Sequence, residues 1–418
     1  MNLEKEIILL AKEAKEASDK IAAADTSIKN LALITIAEKI EKQADYIKAE
    51  NKKDLIDAKK SGLSDAMIDR LAVTDKVIKS MSGGLREAAS LEDPVGGITK
   101  TWKRPNGLEV SKMRIPIGVI GIIYESRPNV TIDAAGLCLK SGNAVILKGG
   151  SEAFNSNQAL VKIFKEGLAE TNLPIDAIQT LGSKDREAVT ILLKQEEHID
   201  LIIPRGGEGL IRYVVQNSKI PVLKHYKGVC HTFIDKSAEY QTAEKICLNA
   251  KVQRPGVCNA METLLIHTDI ADTFLPKLHS AFKKAKVEIR GCKKTASILP
   301  EIKSATEEDW HAEYLNLTLS VKIVNNIDEA ILHIKKYGSN HSEAIITKNI
   351  QSARYFVKQV DSSGVFVNAS TRFNDGGELG LGAEIGISTS KLHAFGPMGL
   401  EELTCEKFVI IGDGQIRE

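Results

Sequence analysis

Residues 116–153 show a strand–helix–strand pattern in the sequence PIGVIGIIYESRPNVTIDAAGLCLKSGNAVILKGGSEA. Val119–Tyr124 is an apolar run of strand length, and residues 144–147 form a second one. Between these runs, residues 131–141 have helical periodicity and are followed by Gly142, a residue that commonly ends helices. Short apolar strands that alternate with helices are typical of βαβ units, in which helices cover both faces of a parallel sheet.

The same alternation continues along the rest of the chain. Further helices are predicted over residues 152–171, 185–194, 208–217, 270–284 and 327–336, and further strands over residues 178–181, 201–203, 262–267, 321–324, 344–346 and 408–411. The sequence therefore predicts an α/β protein built on parallel sheets.

The N-terminal hundred residues have a different pattern, because their apolar residues recur at helical spacing. We predict that Ser27 caps the second helix. The buried face of that helix is predicted to carry Leu31, Ile34, Ala37, Ile40 and Ile47. Residues 98–102 and 108–113 then predict a pair of strands between turn signals.

Length, charge and cysteine spacing exclude several classes of protein. The chain has 418 residues, enough for two or three domains, and its 56 Lys+Arg against 55 Asp+Glu give a formal charge of +1. That balance argues against a nucleic-acid or membrane-surface binder. No apolar run approaches the roughly 18 residues of a membrane span, and the N-terminus does not resemble a signal peptide, so we expect a cytoplasmic protein. The six cysteines lack CxxC spacing and the nine histidines lack HExxH, which argues against a metal site.

Two glycine pairs follow predicted strands, at Gly149-Gly150 and at Gly206-Gly207. In an open α/β sheet, ligands bind at the carboxyl ends of the strands, where glycine lets the backbone approach a cofactor. The N-terminus of the following helix favours an anionic group. Lys148 ends a strand and is a candidate partner for a ribose hydroxyl or a phosphate. The alternatives are tight turns for the glycine pairs and a solvated side chain for Lys148.

Cys258 stands out among the cysteines because it follows a Pro-Gly irregularity and precedes a predicted strand. An irregular loop held by a scaffold is a common location for a nucleophile, although a buried, unreactive thiol is the alternative. Asn129 follows the first strand, and its amide can donate to a developing oxyanion, although a plain turn explains it equally well. Arg127, Arg254 and Arg372 lie in loops beside these segments, and their guanidinium groups suit a carboxylate or a phosphate.

Taken together, these segments resemble the aldehyde dehydrogenase superfamily. The resemblance is carried by residues 116–153, 204–211, 252–267, 324–345 and 368–403. It implies an aldehyde-dehydrogenase-like α/β fold with a Rossmann-type cofactor domain, an α/β catalytic domain and a small β oligomerisation arm. The implied boundaries are residues 1–99 and 115–250 for the cofactor-binding domain, 251–370 for the catalytic domain with Cys258, 100–114 and 390–412 for the arm, and 371–389 for a glycine-rich active-site segment.

The resemblance also implies roles for individual residues in the reaction. Cys258 matches the superfamily's nucleophile. Asn129 matches the asparagine that forms the oxyanion hole together with the backbone N–H of Cys258. We expect Arg127, Arg254 or Arg372 to bind the anionic groups of the substrate.

For the cofactor, the resemblance implies binding of NADP(H) by residues from several segments. Lys148 matches the lysine that holds the adenosine ribose, and together with Ser151 it is a candidate for binding the 2′-phosphate. Gly206 and Gly207 match the glycine turn beneath the pyrophosphate. Glu313 matches the glutamate that binds the nicotinamide ribose.

The implied activity is the NADPH-dependent reduction of L-glutamyl 5-phosphate to L-glutamate 5-semialdehyde, the second step of proline biosynthesis. Hydrolytic members carry a general-base glutamate in a segment that reads VLKHYKG here, at residues 222–228, without a glutamate. Without that base, a thioester exchanges with phosphate and not with water. The alternatives are a related acylating dehydrogenase that uses an acyl-CoA, and a non-catalytic regulatory protein on the same scaffold. The expected partners are a small-molecule substrate, further copies of the chain in a dimer or tetramer, and a functionally coupled glutamate 5-kinase.

Overall fold

A computed structural model of the chain describes residues 2–417 and divides into two units. The first unit comprises Met1–Lys224, Gly380–Gly386 and Met398–Glu418. The second unit comprises His225–Leu379 and Ile387–Pro397. Within residues 2–417, no helix combines the length and the apolarity that crossing a bilayer requires.

The first unit combines a helical N-terminal segment with a parallel sheet and an antiparallel arm. Its helices are α1 (Leu3–Ala22), α2 (Thr26–Lys42), α3 (Ala44–Lys60), α4 (Asp65–Leu71), α5 (Asp75–Ser90), α6 (Asn129–Lys140), α7 (Phe154–Glu170), α8 (Glu187–Leu192) and α9 (Glu208–Asn217). Its strands are β1 (Ile98–Lys103), β2 (Glu109–Pro116), β3 (Val119–Tyr124), β4 (Ala144–Lys148), β5 (Ile178–Thr180), β6 (Leu201–Arg205) and, from the end of the chain, β16 (Thr404–Ile411).

The parallel sheet of the first unit has the strand order β5-β4-β3-β6, and its strands are almost entirely buried. Ile123 in β3 pairs with Lys148 in β4, and Tyr124 pairs with Arg205 in β6. The carboxyl ends of the three strands therefore lie side by side. This arrangement confirms the βαβ prediction, and it places the segments that follow β3, β4 and β6 at one edge of the sheet.

The prediction for the second helix was wrong in its cap and only partly right in its buried face, where Ala37 and Ile40 are buried as predicted. Asp25, not Ser27, is the N-cap of α2, and the helix ends at Lys42, before Ile47. Leu31 and Ile34 are 56% and 40% exposed. The buried apolar residues are Ala32, Leu33, Ile36, Ala37 and Ile40, and they face α5 and α7. Because α2 carries apolar residues around much of its circumference, its periodicity did not identify the face that packs.

The arm is a three-stranded antiparallel sheet with the order β1-β2-β16. It contains the two strands predicted around residues 100–114, but the predicted C-terminal part, residues 390–412, contributes only β16. Residues 396 and 397 belong to the second unit instead, because they form a strand that pairs with residues 387 and 388 there. The rings of Trp102 and Phe408 meet edge to face on the arm, with centroids 6.2 Å apart.

The second unit is built around a larger parallel sheet. Its strands are β7 (Cys230–Ile234), β8 (Met261–His267), β9 (Glu288–Gly291), β10 (Lys303–Ser304), β11 (Thr318–Val324), β12 (Ser342–Ile346), β13 (Gly364–Val367), β14 (Ile387–Ser388) and β15 (Gly396–Pro397). Its helices are α10 (Tyr240–Val252), α11 (Thr268–Lys284), α12 (Lys293–Ile298), α13 (Glu307–Trp310), α14 (Ile327–Tyr337) and α15 (Ile350–Gln359).

The sheet of the second unit has the order β10-β9-β11-β8-β7-β12-β13, and every pair in it is parallel. Strand β7 lies between β8 and β12 and is fully buried. The chain therefore passes into the second unit at residue 225, whereas the resemblance placed the domain boundary at residue 250. The difference arises because β7 pairs with strands that follow Cys258 in the sequence.

Candidate active site

Cys258 lies in an irregular loop of the second unit, between the end of α10 and the start of β8, and is half-buried. Hydrogen bonds of Val257 and Asn259, the two neighbours of Cys258, fix the loop. The Ala260 N–H donates to the Val257 carbonyl oxygen at 3.1 Å, and the Thr371 hydroxyl donates to the Asn259 carbonyl oxygen at 2.7 Å. The Asn259 amide donates to the Asn374 carbonyl oxygen at 3.0 Å. The segment around residues 371–374 thus holds the loop in place.

Two residues at the entrance to β7 pack directly against the main chain of Cys258. A methyl group on Gly228 would collide with the Cys258 carbonyl and would lie 2.7 Å from its Cα atom, so this position requires glycine. The Cys230 thiol donates to the Cys258 carbonyl oxygen at 3.1 Å. The segment without a glutamate, residues 222–228, therefore ends in direct contact with Cys258.

A buried ion pair closes the base of the nucleophile loop. Lys251 in α10 contacts the carboxylate of Glu262 in β8, and both side chains are completely buried. Burial raises the pKa of Glu262 to about 7 against the opposing effect of Lys251, and burial also lowers the pKa of Lys251. The second carboxylate oxygen of Glu262 accepts from the Leu315 N–H at 3.1 Å. One carboxylate thus joins the nucleophile loop to the segment that carries Glu313.

Glu313 is in the neighbourhood of Cys258. Its Oε1 atom accepts from the Gly228 N–H at 2.9 Å, and Gly228 packs against Cys258. Cys258 and Glu313 are 55 positions apart in the sequence, but both contact Gly228. The resemblance assigns Cys258 the role of nucleophile and assigns Glu313 to the nicotinamide ribose.

Arg254 and Arg372 are the predicted substrate-binding arginines of the second unit. Arg372 Nε donates to the Gln253 side-chain oxygen at 2.9 Å, which ties it to the nucleophile loop. Burial and the neighbouring Arg254 lower the pKa of Arg372, whereas the Cys258 thiolate acts in the opposite direction. Two guanidinium groups and the thiol thus share one electrostatic environment, which suits a substrate that carries several negative charges. Arg127 belongs to the first unit, where it is exposed in the loop between β3 and α6.

Asn129 is the first residue of α6 in the first unit and is half-buried. Its Nδ2 atom donates to Asp133 Oδ2 at 3.0 Å, one helical turn further on. Burial raises the pKa of Asp133 to about 6, and the Asn129 amide and the Arg205 guanidinium oppose that shift.

A cavity of about 1180 Å³ lies at the carboxyl ends of the strands in the first unit. Lys148 and Ser151 line it, as do Lys184 and Arg186 from the segment before α8. The ammonium group of Lys148 donates to the Gly149 carbonyl oxygen at 3.0 Å, and burial lowers the pKa of Lys148. The size of this cavity fits a nucleotide, and its lining carries four basic side chains beside four acidic ones, Asp54, Asp57, Glu125 and Glu152.

The two predicted glycine turns border this part of the first unit. A methyl group on Gly149 would collide with the amide of Asn157, so the turn after β4 requires glycine. At the N-terminus of α9, the Gly207 N–H donates to Glu125 Oε2 at 3.1 Å. Since Glu125 lines the cavity, this helix end already receives a negatively charged oxygen there, as a pyrophosphate would supply.

Sequence reasoning missed the residues that support the site. Gly228, Asp133 and the Lys251–Glu262 pair were not singled out. The sequence contains a signal for the ion pair, because Lys251 and Glu262 are oppositely charged. Lys251 lies near the end of the helix before the Cys258 loop, and Glu262 lies near the start of the strand after it. For Asp133 the signal was its spacing of four residues from Asn129. Gly228 carried no local signal, because only its long-range contact with Cys258 explains it.

Comparisons with known proteins agree on one family. A match to the aldehyde dehydrogenase family covers residues 9–316. The gamma-glutamyl phosphate reductase of Desulfatibacillum aliphaticivorans is 60% identical over 413 residues, 99% of each chain. That of Thermodesulfovibrio yellowstonii is 57% identical over 418 residues, 100% of both chains.

Solved structures place the chain in the same group. The gamma-glutamyl phosphate reductase of Thermotoga maritima has a TM-score of 0.97 and is 47% identical, with coverage of 99% of this chain and 100% of that one. An acetylating aldehyde dehydrogenase from Geobacillus thermoglucosidasius has a TM-score of 0.69 and 16% identity, with coverage of 100% and 98%. The second likeness shows a shared fold.

Proposed function

The chain belongs to the aldehyde dehydrogenase family, and we propose that it reduces L-glutamyl 5-phosphate with NADPH to L-glutamate 5-semialdehyde and phosphate, the second step of proline biosynthesis. The observation that carries this proposal is the setting of Cys258, a half-buried thiol in a fixed loop that shares its environment with Arg254 and Arg372. A thiol nucleophile beside two guanidinium groups suits an acyl donor that is itself an anion. The full-length identity to the named reductases supports the choice of glutamyl phosphate as that donor.

In the proposed mechanism, the Cys258 thiolate attacks the acyl carbon of the substrate and phosphate leaves with the electron pair of the broken C–O bond. The Asn129 amide and the Cys258 N–H donate to the oxyanion of the tetrahedral intermediate, an effect commonly worth about 3–4 kcal/mol for one donor. A nicotinamide cofactor held by the first unit would supply the hydride for reduction of the thioester on Cys258. The resulting thiohemiacetal then releases the aldehyde and returns Cys258 to its free form.

The composition of residues 222–228, beside the nucleophile, supports exchange of the acyl group of the thioester with phosphate and not with water. Residues 222–228 contain no glutamate, and Gly228 at the end of this segment contacts Cys258. A water molecule needs a general base to attack a thioester at a useful rate. Without a base on this segment, the acyl group is kept for exchange with phosphate and for reduction.

For the cofactor, we assign Lys148 to the adenosine ribose, and Lys148 together with Ser151 to the 2′-phosphate that distinguishes NADPH from NADH. Both residues line the cavity of the first unit. Gly206 and Gly207 are assigned to the pyrophosphate and Glu313 to the nicotinamide ribose. The proposal further includes a homo-oligomer formed through the arm, and functional coupling to a glutamate 5-kinase that supplies the labile acyl phosphate.

A coupled forward assay tests the substrate. Glutamate 5-kinase, ATP and glutamate generate glutamyl phosphate in the cuvette, and loss of the reduced-nicotinamide absorbance is followed after the protein is added. We expect kinase-dependent oxidation of NADPH that is absent in Cys258→Ala. Oxidation with an acyl-CoA and none with the kinase system would contradict the proposal and favour a CoA-acylating dehydrogenase. No oxidation with either donor would favour a non-catalytic protein.

A further inference from the structure

Asn129 and Asp133 form a side-chain pair on one face of α6. Residues four positions apart in a helix lie one above the other, which allows the Asn129 Nδ2 atom to reach Asp133 Oδ2 at 3.0 Å. Asn129 is at the first position of the helix, where its own side chain borders the loop from β3. The pair therefore joins a site residue to the body of the helix.

The chemistry of the pair determines which end of the Asn129 amide faces the helix. An ionised carboxylate only accepts hydrogen bonds, whereas the amide has a donating nitrogen and an accepting oxygen. Asp133 can therefore hold only the nitrogen end. This contact uses one N–H of Nδ2 and leaves the second N–H for another acceptor.

The Asp133 carboxylate is charged at neutral pH, although burial makes its charged form less favourable than it would be in water. Burial raises the pKa of Asp133 to about 6, so the group is ionised at neutral pH. Besides Asn129, Arg205 at the end of β6 is the charged partner that stabilises the ionised form. A methyl group on Gly84 of α5 would lie 3.6 Å from Asp133 Oδ1, an ordinary van der Waals distance, so α5 packs close to the carboxylate. An apolar residue at position 133 would stabilise the folded protein more than this buried carboxylate does.

We propose that Asp133 is a positioning residue, which orients the Asn129 amide so that its second N–H is presented to the oxyanion of the reaction. This inference rests on the proposed function, in which Asn129 stabilises that oxyanion. A surface pair of the same spacing contributes only a few tenths of a kcal/mol to a helix and has no effect on turnover. An orienting pair instead changes kcat, because a donor that is misdirected in the transition state loses its effect.

A double-mutant cycle tests the proposal. The variants are Asp133→Ala, Asn129→Ala and the double variant, with Asp133→Asn as the conservative replacement, whose amide oxygen still accepts. Glu16→Gln in α1, which breaks an exposed pair of the same spacing, is the control. Each variant is compared by kcat and by KM for NADPH in the coupled forward assay, and by thermal melting to confirm folding.

We expect Asn129→Ala to lower kcat about 100- to 1,000-fold, the usual effect of losing one oxyanion donor. Asp133→Ala should lower kcat at least tenfold with little change in the KM for NADPH, and Asp133→Asn should recover part of that loss. In the Asn129→Ala background, Asp133→Ala should lower kcat less than twofold further, because the residue acts only through Asn129. Glu16→Gln should leave kcat unchanged.

The outcomes that overturn the inference differ from those that overturn the proposed function. If Asp133→Ala lowers kcat by the same factor with and without Asn129, or does not lower it at all, Asp133 does not act through the amide. If Asn129→Ala is as active as the unchanged protein, the oxyanion role of Asn129 is wrong and the inference falls with it. If the unchanged protein does not oxidise NADPH in the kinase-coupled assay, the substrate assignment fails first.

Discussion

Cys258 can be found from the sequence as a candidate nucleophile, but the residues that pack around it cannot. Its irregular loop after a Pro-Gly step is a local feature, and the family pattern identifies it further. Gly228 packs against Cys258 across 30 residues of sequence, and Glu313 accepts from the Gly228 N–H across 85 residues; no local pattern encodes such contacts. The candidate residues were thus predicted, whereas the backbone contact and the supporting ion pair were not.

Gly228→Ala should impair the nucleophile specifically. The added methyl group collides with the Cys258 carbonyl, and relief of such overpacking costs about 1–3 kcal/mol. Since displacement of a reacting group by about 1 Å can cost 100-fold in rate, we expect kcat to fall at least tenfold. The matched control is Gly83→Ala in α5, where a methyl group meets nothing within 4 Å. The control should keep full activity and a melting temperature that is unchanged or higher; equal losses in both variants would contradict the contact.

Asp133 should give the protein a pH-dependent cost in stability. Its folded pKa of about 6 is above its ordinary value of 3.8, so the folded state holds the proton more tightly than the unfolded chain. Its contribution to the free energy of unfolding therefore falls as the pH rises from 4 to 7, by at most about 3 kcal/mol at about 1.4 kcal/mol per pH unit. Urea unfolding should show Asp133→Asn gaining stability relative to the unchanged protein at pH 7 compared with pH 4. A difference between the two proteins that is independent of pH would contradict the burial of this charge.

At the scale of elements, the strands were predicted better than the helix faces. Buried parallel strands such as β3 and the first four residues of β4 are continuous apolar runs, and few other structures place such runs between turn signals. Helix α2 shows the limit, because Leu31 and Ile34 are as apolar as the residues that pack. Which face of such a helix is buried depends on its neighbours α5 and α7, and the local sequence does not specify them.

The Lys251–Glu262 pair should be essential to the junction of α10, the nucleophile loop and β8. Removing one partner of a buried pair leaves an uncompensated charge and typically costs 3–5 kcal/mol. We expect Lys251→Met to lower the free energy of urea unfolding by about 3 kcal/mol. The double variant Lys251→Met/Glu262→Gln should recover part of that loss because it buries no charge. Equal stability of the single and double variants would contradict a paired, charged state.

At the scale of the whole molecule, the α/β architecture and the family were predicted from the sequence, whereas the boundary between the two units lies at a different residue from the implied domain boundary. The transition falls at residue 225 because β7 completes a sheet whose other strands come later in the chain. A boundary set by long-range strand pairing cannot be located from composition, which does not change between residues 225 and 250.

The arm should determine the oligomeric state. Phe408 and Ile410 are on one face of β16 and are 59% and 56% exposed, beside Trp102 on β1. We expect Phe408→Glu/Ile410→Glu to shift the protein toward a smaller species in sedimentation velocity, because charges would then replace the apolar contact surface. Lys407→Glu, on the opposite face of the strand, is the control and should leave the mass unchanged. An unchanged mass in the double variant would place the subunit interface elsewhere.

The reverse reaction tests the central claim most directly. The protein is mixed with glutamate 5-semialdehyde and NADP⁺, and the reduced-nicotinamide absorbance is followed with and without phosphate. We predict NADPH formation that requires phosphate and is abolished in Cys258→Ala, because the thioester on Cys258 is resolved by phosphate. NADPH formation at the same rate without phosphate would contradict the account, since water would then resolve the thioester despite the absence of a glutamate in residues 222–228.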